Sequence, residues 1–115
     1  MKKAYYLSTC DTCQRIMKEL DVFSGWELQD IKKEKITIEQ LEQMRSMTDS
    51  YESLLNKRAR KLAEFRGQEW TEEKLKAMIL EEYTFLKRPV FILDDEIFIG
   101  NSKKVVESLK TKLGA

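Results

Sequence analysis

The chain has 115 residues, of which 42% are hydrophobic and 36% are charged, and 21 basic against 20 acidic side chains give a formal net charge of +1. This composition predicts one soluble globular domain over residues 1–115, large enough to fold without disulfide bonds, and excludes an intrinsically disordered chain. The even charge balance argues against broad electrostatic binding of nucleic acid or of anionic lipid.

The sequence contains no histidine and only two cysteines. Without histidine, Ser-His-Asp and Cys-His catalysis are excluded, as are most transition-metal sites. Two cysteines cannot form a four-cysteine zinc site within one chain. We therefore expect no metal and no tightly bound cofactor.

The first apolar run stops at Ser8 and Thr9, which makes it too short for a signal peptide. No stretch approaches the roughly 18 apolar residues of a membrane span. We expect a cytoplasmic protein without a membrane partner, and structural disulfides are rare in that compartment.

Periodicity predicts the elements of the first third of the chain. Residues 4–8 form an apolar run typical of a strand, and residues 12–23 change to a helical spacing of apolar side chains. Ser24-Gly25 breaks this helix, and alternation over residues 26–31 predicts a half-buried strand.

The middle of the chain is predicted to be helical. After a charged, solvated connector at residues 32–35, Thr37 and Gln40 make a capping-box pattern that predicts a helix start. A further helix is predicted over about residues 50–65, and another begins at Thr71.

The last third begins at Pro89, the only proline in the chain. It opens an apolar strand at residues 90–93 that we expect to be buried on both faces. Asp94-Asp95 predicts a tight turn into a second strand at residues 96–99, and an amphipathic helix follows the turn at residues 100–102.

This order of elements predicts an α/β fold of the thioredoxin or glutaredoxin type, with a small mixed sheet and flanking helices. The middle helices form an all-helical insertion at about residues 37–83.

The pattern Cys10-Asp11-Thr12-Cys13 lies between the first strand and the first helix. Unpaired N–H groups at a helix N-terminus stabilise a thiolate on the first sulfur, which is the nucleophilic form. The second sulfur, one turn later, can attack a mixed disulfide formed at the first. This predicts a redox-active pair, and the alternative is two inert cysteines.

Two arginines are further candidates. Arg88 directly precedes Pro89 and supplies a permanent cation that can stabilise a thiolate or bind an oxyanion. Arg58 belongs to a basic cluster at residues 56–61, for which a solvated helix face is the alternative. Pro89 is either an ordinary strand-start proline or a cis-proline beside the thiol.

Four ordered landmarks resemble the ArsC/Spx family, which includes glutaredoxin-coupled arsenate reductases and the Spx transcription regulators. The similarity covers nearly the whole chain, including the helical insertion. The landmarks are residues 6–15, 54–58, 86–90 and Ile99-Gly100.

The resemblance implies a role for four residues. Cys10 corresponds to the nucleophilic cysteine of the family, and Arg58 and Arg88 correspond to two arginines that hold arsenate in the reductases. Pro89 corresponds to the cis-proline of the thioredoxin fold.

Three positions depart from the patterns of the two branches. Asn101 stands where the reductases have a third arginine, and plasmid-type reductases have no cysteine at the position of Cys13. Ser50 aligns with a glycine by which Spx-type regulators contact the RNA polymerase alpha subunit. The sequence therefore lies between the branches.

Two functions follow as expectations. The first is a thiol-dependent reductase of a small oxyanion or a disulfide, reset by thioredoxin, glutaredoxin or glutathione. The alternative is a redox sensor like Spx that binds RNA polymerase, and a third possibility is a family member without retained activity.

Overall fold

The computed structural model describes residues 1–22 and 25–114, which leaves the predicted helix end at Phe23 and the break at Ser24 outside the described residues. The strands are β1 (Lys2–Tyr6), β2 (Glu27–Asp30), β3 (Val90–Leu93) and β4 (Glu96–Ile99). The α-helices are α1 (Asp11–Glu19), α2 (Ile38–Ser46), α3 (Glu72–Glu81) and α4 (Lys103–Leu113). Short 3-10 helices cover Glu52–Leu54, Arg60–Phe65 and Tyr83–Phe85. Among all these described segments, none is a helix long and apolar enough to cross a membrane.

The chain divides into two compact units, the first made of Met1–Lys35 and Arg88–Ala115 and the second of Ile36–Lys87. The second unit includes the predicted helical insertion at about residues 37–83. The description of residues 1–115 as a single domain stays a prediction.

The first unit contains a four-stranded mixed sheet in the order β2-β1-β3-β4. Strand β1 is parallel to β2 and antiparallel to β3, and β3 and β4 form the predicted antiparallel hairpin. Ala4 of β1 lies between Leu28 of β2 and Phe91 of β3. The predicted α/β, thioredoxin-like sheet with flanking helices is therefore confirmed.

The apolar stripes of α1 and α4 form one core with residues of the sheet, as their helical spacing predicts. The buried members of this core are Ala4, Ile16, Met17, Leu20, Val22, Phe91, Phe98, Val106 and Leu109. Helix α1 therefore packs against the sheet, and this packing sets the position of the N-terminus of the helix.

The second unit begins with the predicted capping box. The backbone N–H of Gln40 donates to Thr37 Oγ1 at 3.0 Å, and the N–H of Thr37 donates to Gln40 Oε1 at 3.1 Å. These bonds satisfy two donors that the first turn of α2 would otherwise leave unpaired. Helix α3 begins in a similar way, since Thr71 Oγ1 accepts from the N–H of Lys74.

The predicted helix over residues 50–65 is wrong. That stretch forms the 3-10 helices Glu52–Leu54 and Arg60–Phe65, and between them Leu55 is extended. Leu55 makes an isolated antiparallel bridge with Leu86, so its backbone bonds to a distant segment instead of continuing a helix.

Candidate active site

Cys10 is the N-cap residue of α1, in the loop that leaves the central strand β1. Its backbone is extended, with φ −98° and ψ 111°, and its carbonyl accepts the first helical hydrogen bond from the N–H of Gln14 at 3.1 Å. Its own N–H donates to the carbonyl of Leu7 at 3.0 Å, which closes a tight turn. The half-buried sulfur therefore lies where the backbone amides of a helix N-terminus are available to it.

Burial is the largest single influence on the pKa of Cys10, and it disfavours the thiolate. The pKa is nevertheless lowered, because hydrogen bonds from the backbone N–H and thiol of Cys13, the charge of Arg88 and the N–H of Thr12 together outweigh burial. The structure thus makes Cys10 the more acidic and more nucleophilic cysteine.

Cys13 lies one helical turn later and is fully buried. Burial raises the pKa of its thiol to about 12, and its hydrogen bond to Cys10 and the charge of Cys10 add to the rise. At neutral pH Cys13 is therefore a protonated thiol, and it is hydrogen-bonded to the more acidic Cys10. Both cysteines are free thiols in this structure.

Arg88 and Pro89 lie in the first unit together with the two cysteines. The charge of Arg88 acts on both sulfurs and favours their ionised forms. The Arg88–Pro89 peptide bond is cis, as the resemblance implied. The carbonyl of Pro89 accepts from the N–H of Gly100 at 2.9 Å, which holds the start of β3 against the end of β4.

Arg58 lies in the second unit, in an exposed turn between two 3-10 helices. Its backbone N–H donates to Asn56 Oδ1 at 3.2 Å, and Asn56 Nδ2 donates to the carbonyl of Thr84 at 3.1 Å. Arg58 therefore lies on a turn that hydrogen bonds of Asn56 hold in place, and not on the predicted helix. Its assignment to anion binding stays a prediction, as do the catalytic and substrate-binding roles of the other candidates.

Asn101 is exposed and lies between Gly100 and Ser102. Ser102 is the N-cap of α4, and its side chain accepts from the N–H of Val105. A neutral amide thus occupies the position at which the resemblance implies a third arginine.

A contact between Ser8, in the turn before Cys10, and Asp30 was missed in the sequence. Ser8 Oγ donates to Asp30 Oδ2 at 2.5 Å, and Asp30 is only 9% exposed. The signal was present, because the carboxyl ends of parallel strands meet at one edge of a sheet. Ser8 follows β1, and Asp30 ends the neighbouring strand β2.

The described parts of the chain contain no group of three or more histidine, cysteine, aspartate or glutamate side chains placed to hold a metal ion. The chemistry that these residues can support is thiol chemistry, because they provide one thiol with a lowered pKa, one protonated thiol and one fixed cation.

Comparison with known proteins assigns the family. A model of the ArsC family matches residues 5–109. The chain belongs to the ArsC family. No curated protein matches this ArsC family chain.

Solved structures agree on the fold of this ArsC family member. An arsenate reductase from Vibrio cholerae superposes with a TM-score of 0.78 at 10% identity, with 95% of each chain covered. An arsenate reductase (ArsC) related protein from Brucella melitensis gives a TM-score of 0.68 at 22% identity, covering 93% of this chain and 92% of its own. A protein from Staphylococcus aureus gives 0.73 at 23% identity, with coverages of 94% and 97%. At these identities the likeness shows the shared fold.

Proposed function

We propose that this ArsC family protein is a thiol-dependent reductase in which Cys10 is the nucleophile and Cys13 the resolving thiol. The observation that carries the proposal is the contrast between two adjacent sulfurs, of which Cys10 has a lowered pKa and Cys13 a raised one. A dithiol reductase needs this asymmetry, since one sulfur must attack first and the other must wait.

In the first step, the Cys10 thiolate attacks the electrophilic centre of the substrate. With a disulfide, a sulfur–sulfur bond of the substrate breaks, a mixed disulfide forms at Cys10 and one thiolate leaves. With arsenate, an arsenic–sulfur bond forms and an arsenate oxygen leaves as water after protonation. Arg88 supports this step because its charge acts on the attacking sulfur.

In the second step, Cys13 attacks the sulfur of Cys10. Once Cys10 is part of an adduct, it no longer carries the negative charge that helps to raise the pKa of Cys13. Cys13 then loses its proton more readily, and the proton goes to the departing group. A Cys10–Cys13 disulfide forms, and two electrons pass to the substrate, which leaves as a thiolate or as arsenite.

Glutaredoxin, thioredoxin or glutathione completes the cycle in this proposal by reducing the Cys10–Cys13 disulfide with two electrons. No metal and no tightly bound cofactor takes part, because each electron comes from a thiol. Arg58 is included as a second anion-binding residue on the strength of the resemblance, and its exposed guanidinium is accessible to an anion.

Asn101 bears on which substrate is preferred. A lost charge-assisted hydrogen bond is worth about 1.5–3 kcal/mol, which corresponds to roughly a 10- to 100-fold loss of affinity for arsenate. We therefore propose weak reduction of arsenate and better reduction of a disulfide, whose attack needs no tetrahedral anion site.

The same thiol pair supports a second candidate, an Spx-like redox sensor that binds the RNA polymerase alpha subunit. A Cys10–Cys13 disulfide would then change the affinity for the partner without turnover. A sensor needs one accessible, acidic thiol next to a second thiol, and the lowered pKa of Cys10 beside buried Cys13 meets this requirement.

The deciding experiment measures steady-state reduction of arsenate and of a small disulfide, each with the glutaredoxin system and with the thioredoxin system. The variants are the wild type, Cys10→Ser and Asn101→Arg, and a pull-down of RNA polymerase with oxidised and reduced protein runs in parallel. We expect disulfide turnover that requires Cys10, and arsenate turnover that rises in Asn101→Arg.

The control variant is Ser102→Ala, which alters the neighbouring residue without adding charge. Absence of turnover with every substrate and donor, together with redox-dependent capture of polymerase, would replace the reductase by the sensor.

A further inference from the structure

We infer that Ser8 and Asp30 are positioning residues for the Cys10 thiolate: the buried carboxylate holds the turn before Cys10, and this turn determines where the sulfur meets the first amides of α1. The inference rests on the proposed function, since it concerns the same nucleophile. It assigns to these two residues a role that the cysteine motif does not predict.

The carboxylate of Asp30 is well placed to hold a loop. Burial, the largest influence on its pKa, favours the neutral acid, but hydrogen bonds from the hydroxyl and backbone N–H of Ser8 and from the N–H of Lys32, with the charge of Lys33, lower the pKa overall. Asp30 is therefore ionised at neutral pH. Hydrogen bonds to a buried carboxylate are among the strong ones, because the acceptor is charged.

The two hydrogen bonds that Ser8 donates to Asp30, from its hydroxyl and its backbone N–H, hold the short segment directly before Cys10. The N–H of Ile31 donates to the carbonyl of Tyr6 at 2.9 Å and continues the parallel pairing of β1 and β2 up to this point. Gln14 Nε2, from the first turn of α1, donates to the carbonyl of Ser8 at 3.2 Å. Ser8 is thus joined to β2 on one side and to α1 on the other.

The position of this turn affects the acidity of Cys10, because the hydrogen bonds that stabilise its thiolate are directional. Its sulfur accepts from the N–H groups of Thr12 and Cys13. Hydrogen bonds weaken steeply when their angle departs from linearity, so a turn free to rotate would lose part of this stabilisation. Neither Ser8 nor Asp30 needs to contact the substrate to have this effect.

The direction in which the pKa of Cys10 changes when Asp30 is replaced distinguishes a positioning role from a direct effect of charge. If Asp30 acted on Cys10 only as a nearby negative charge, removing that charge would lower the pKa of Cys10. If Asp30 acts by holding the turn, removing it raises that pKa. The charge of Arg88, which acts on Cys10, and that of Lys33, which acts on Asp30, are unchanged in either case.

The experiment titrates the Cys10 thiolate by its absorbance near 240 nm and measures its rate of alkylation by iodoacetamide, which requires no enzymatic turnover. The variants are Ser8→Ala, Ser8→Thr and Asp30→Asn, with Ser102→Ala as the control, because it removes a helix cap in the same unit. We expect Ser8→Ala and Asp30→Asn to raise the pKa of Cys10 by about half a pH unit to one pH unit, and to slow alkylation at pH 7 by about 3- to 10-fold. Ser8→Thr keeps the hydroxyl and should retain the wild-type values.

An unchanged pKa in Ser8→Ala, or a lowered pKa in Asp30→Asn, would overturn the positioning role and leave the proposed function standing. An ordinary pKa of Cys10 in the wild type would overturn both. If Asp30→Asn does not fold, Ser8→Ala and Ser8→Thr still decide, since the backbone bonds to Asp30 remain in both.

Discussion

The sulfur of Cys10 and the sulfur of Cys13 are hydrogen-bonded to each other and have pKa values shifted in opposite directions. Backbone amides at the start of α1 and the charge of Arg88 lower the pKa of Cys10, whereas burial raises that of Cys13. The order of events in the proposed reaction is therefore built into the first turn of one helix.

Selective alkylation should reveal this asymmetry. With limiting iodoacetamide at pH 7, we expect modification of Cys10 before Cys13, because the lower pKa of Cys10 gives it the larger thiolate fraction. Peptide mass spectrometry of the alkylated protein gives the ratio. The control is the same reaction in denaturant, where both cysteines return to the free pKa of about 8.5 and should react alike. Equal labelling of the two residues in the folded protein would contradict the assignment of Cys10 as nucleophile.

Replacement of the resolving thiol should stop the reaction half-way. Cys13→Ser removes the sulfur that attacks Cys10, so we expect a mixed disulfide at Cys10 to accumulate with a small disulfide reagent. Intact mass spectrometry detects it as the added mass of one reagent thiol. The wild type should give an intramolecular Cys10–Cys13 disulfide under the same conditions. Two free thiols after oxidation of the wild type, or only intermolecular dimers, would count against a resolving role.

Replacement of Arg88 should impair the reactivity of Cys10 more than replacement of Arg58. Arg88→Ala removes a charge that favours the Cys10 thiolate, and we expect the pKa of Cys10 to rise by up to one pH unit, with a roughly 10-fold slower alkylation at pH 7. Arg88→Lys keeps the charge and should restore the pKa, but not the two-pronged binding of an oxyanion. Arg58→Ala should leave the pKa unchanged and lower only the affinity for an anion. Efficient arsenate turnover in Arg88→Ala would refute this account.

The core that packs α1 against the sheet should contribute more to the stability of the protein than an exposed apolar side chain does. Phe91 is 1% exposed and makes an edge-to-face contact with Trp26 at 5.8 Å between ring centroids. We expect Phe91→Ala to lower the free energy of unfolding by about 3–5 kcal/mol, from lost burial and the cavity left behind. Ile38→Ala, at a side chain 51% exposed, should change it by about 0.5 kcal/mol or less. Urea unfolding followed by circular dichroism makes the comparison, and similar losses in both variants would contradict the assigned core.

Local patterns were sufficient to predict most of the first unit and the first helix of the second. The cysteine pair lies at a strand-to-helix junction, the hairpin follows Pro89, and the box formed by Thr37 and Gln40 caps a helix, all as predicted. Each of these features depends on residues close together in the sequence, so spacing alone can indicate them.

The errors have a long-range cause. The helix predicted over residues 50–65 has helical spacing, but the backbone of Leu55 pairs with Leu86 instead. The carbonyl of Leu54 accepts from the N–H of Lys87 at 2.8 Å, and the N–H of Asn56 donates to the carbonyl of Phe85 at 2.7 Å. No local pattern shows such pairing. The link between Ser8 and Asp30 is also long-range, and it could be inferred only from the pairing of β1 with β2, not from spacing in the sequence.

The position of β1 between β2 and β3 in the sheet has a consequence for how the protein folds. Strand β1 lies near its parallel partner β2 in the sequence, but its other partner β3 comes near the end of the chain. Closing so long a loop is slow and must precede the contacts that repay it. We therefore expect a nascent or partly folded chain to have α1 and both cysteines in place before Arg88 arrives with β3. Such a chain would lack the charge of Arg88 beside Cys10, so its thiol would be less acidic than in the folded protein, and a gain in its reactivity would report the completion of folding.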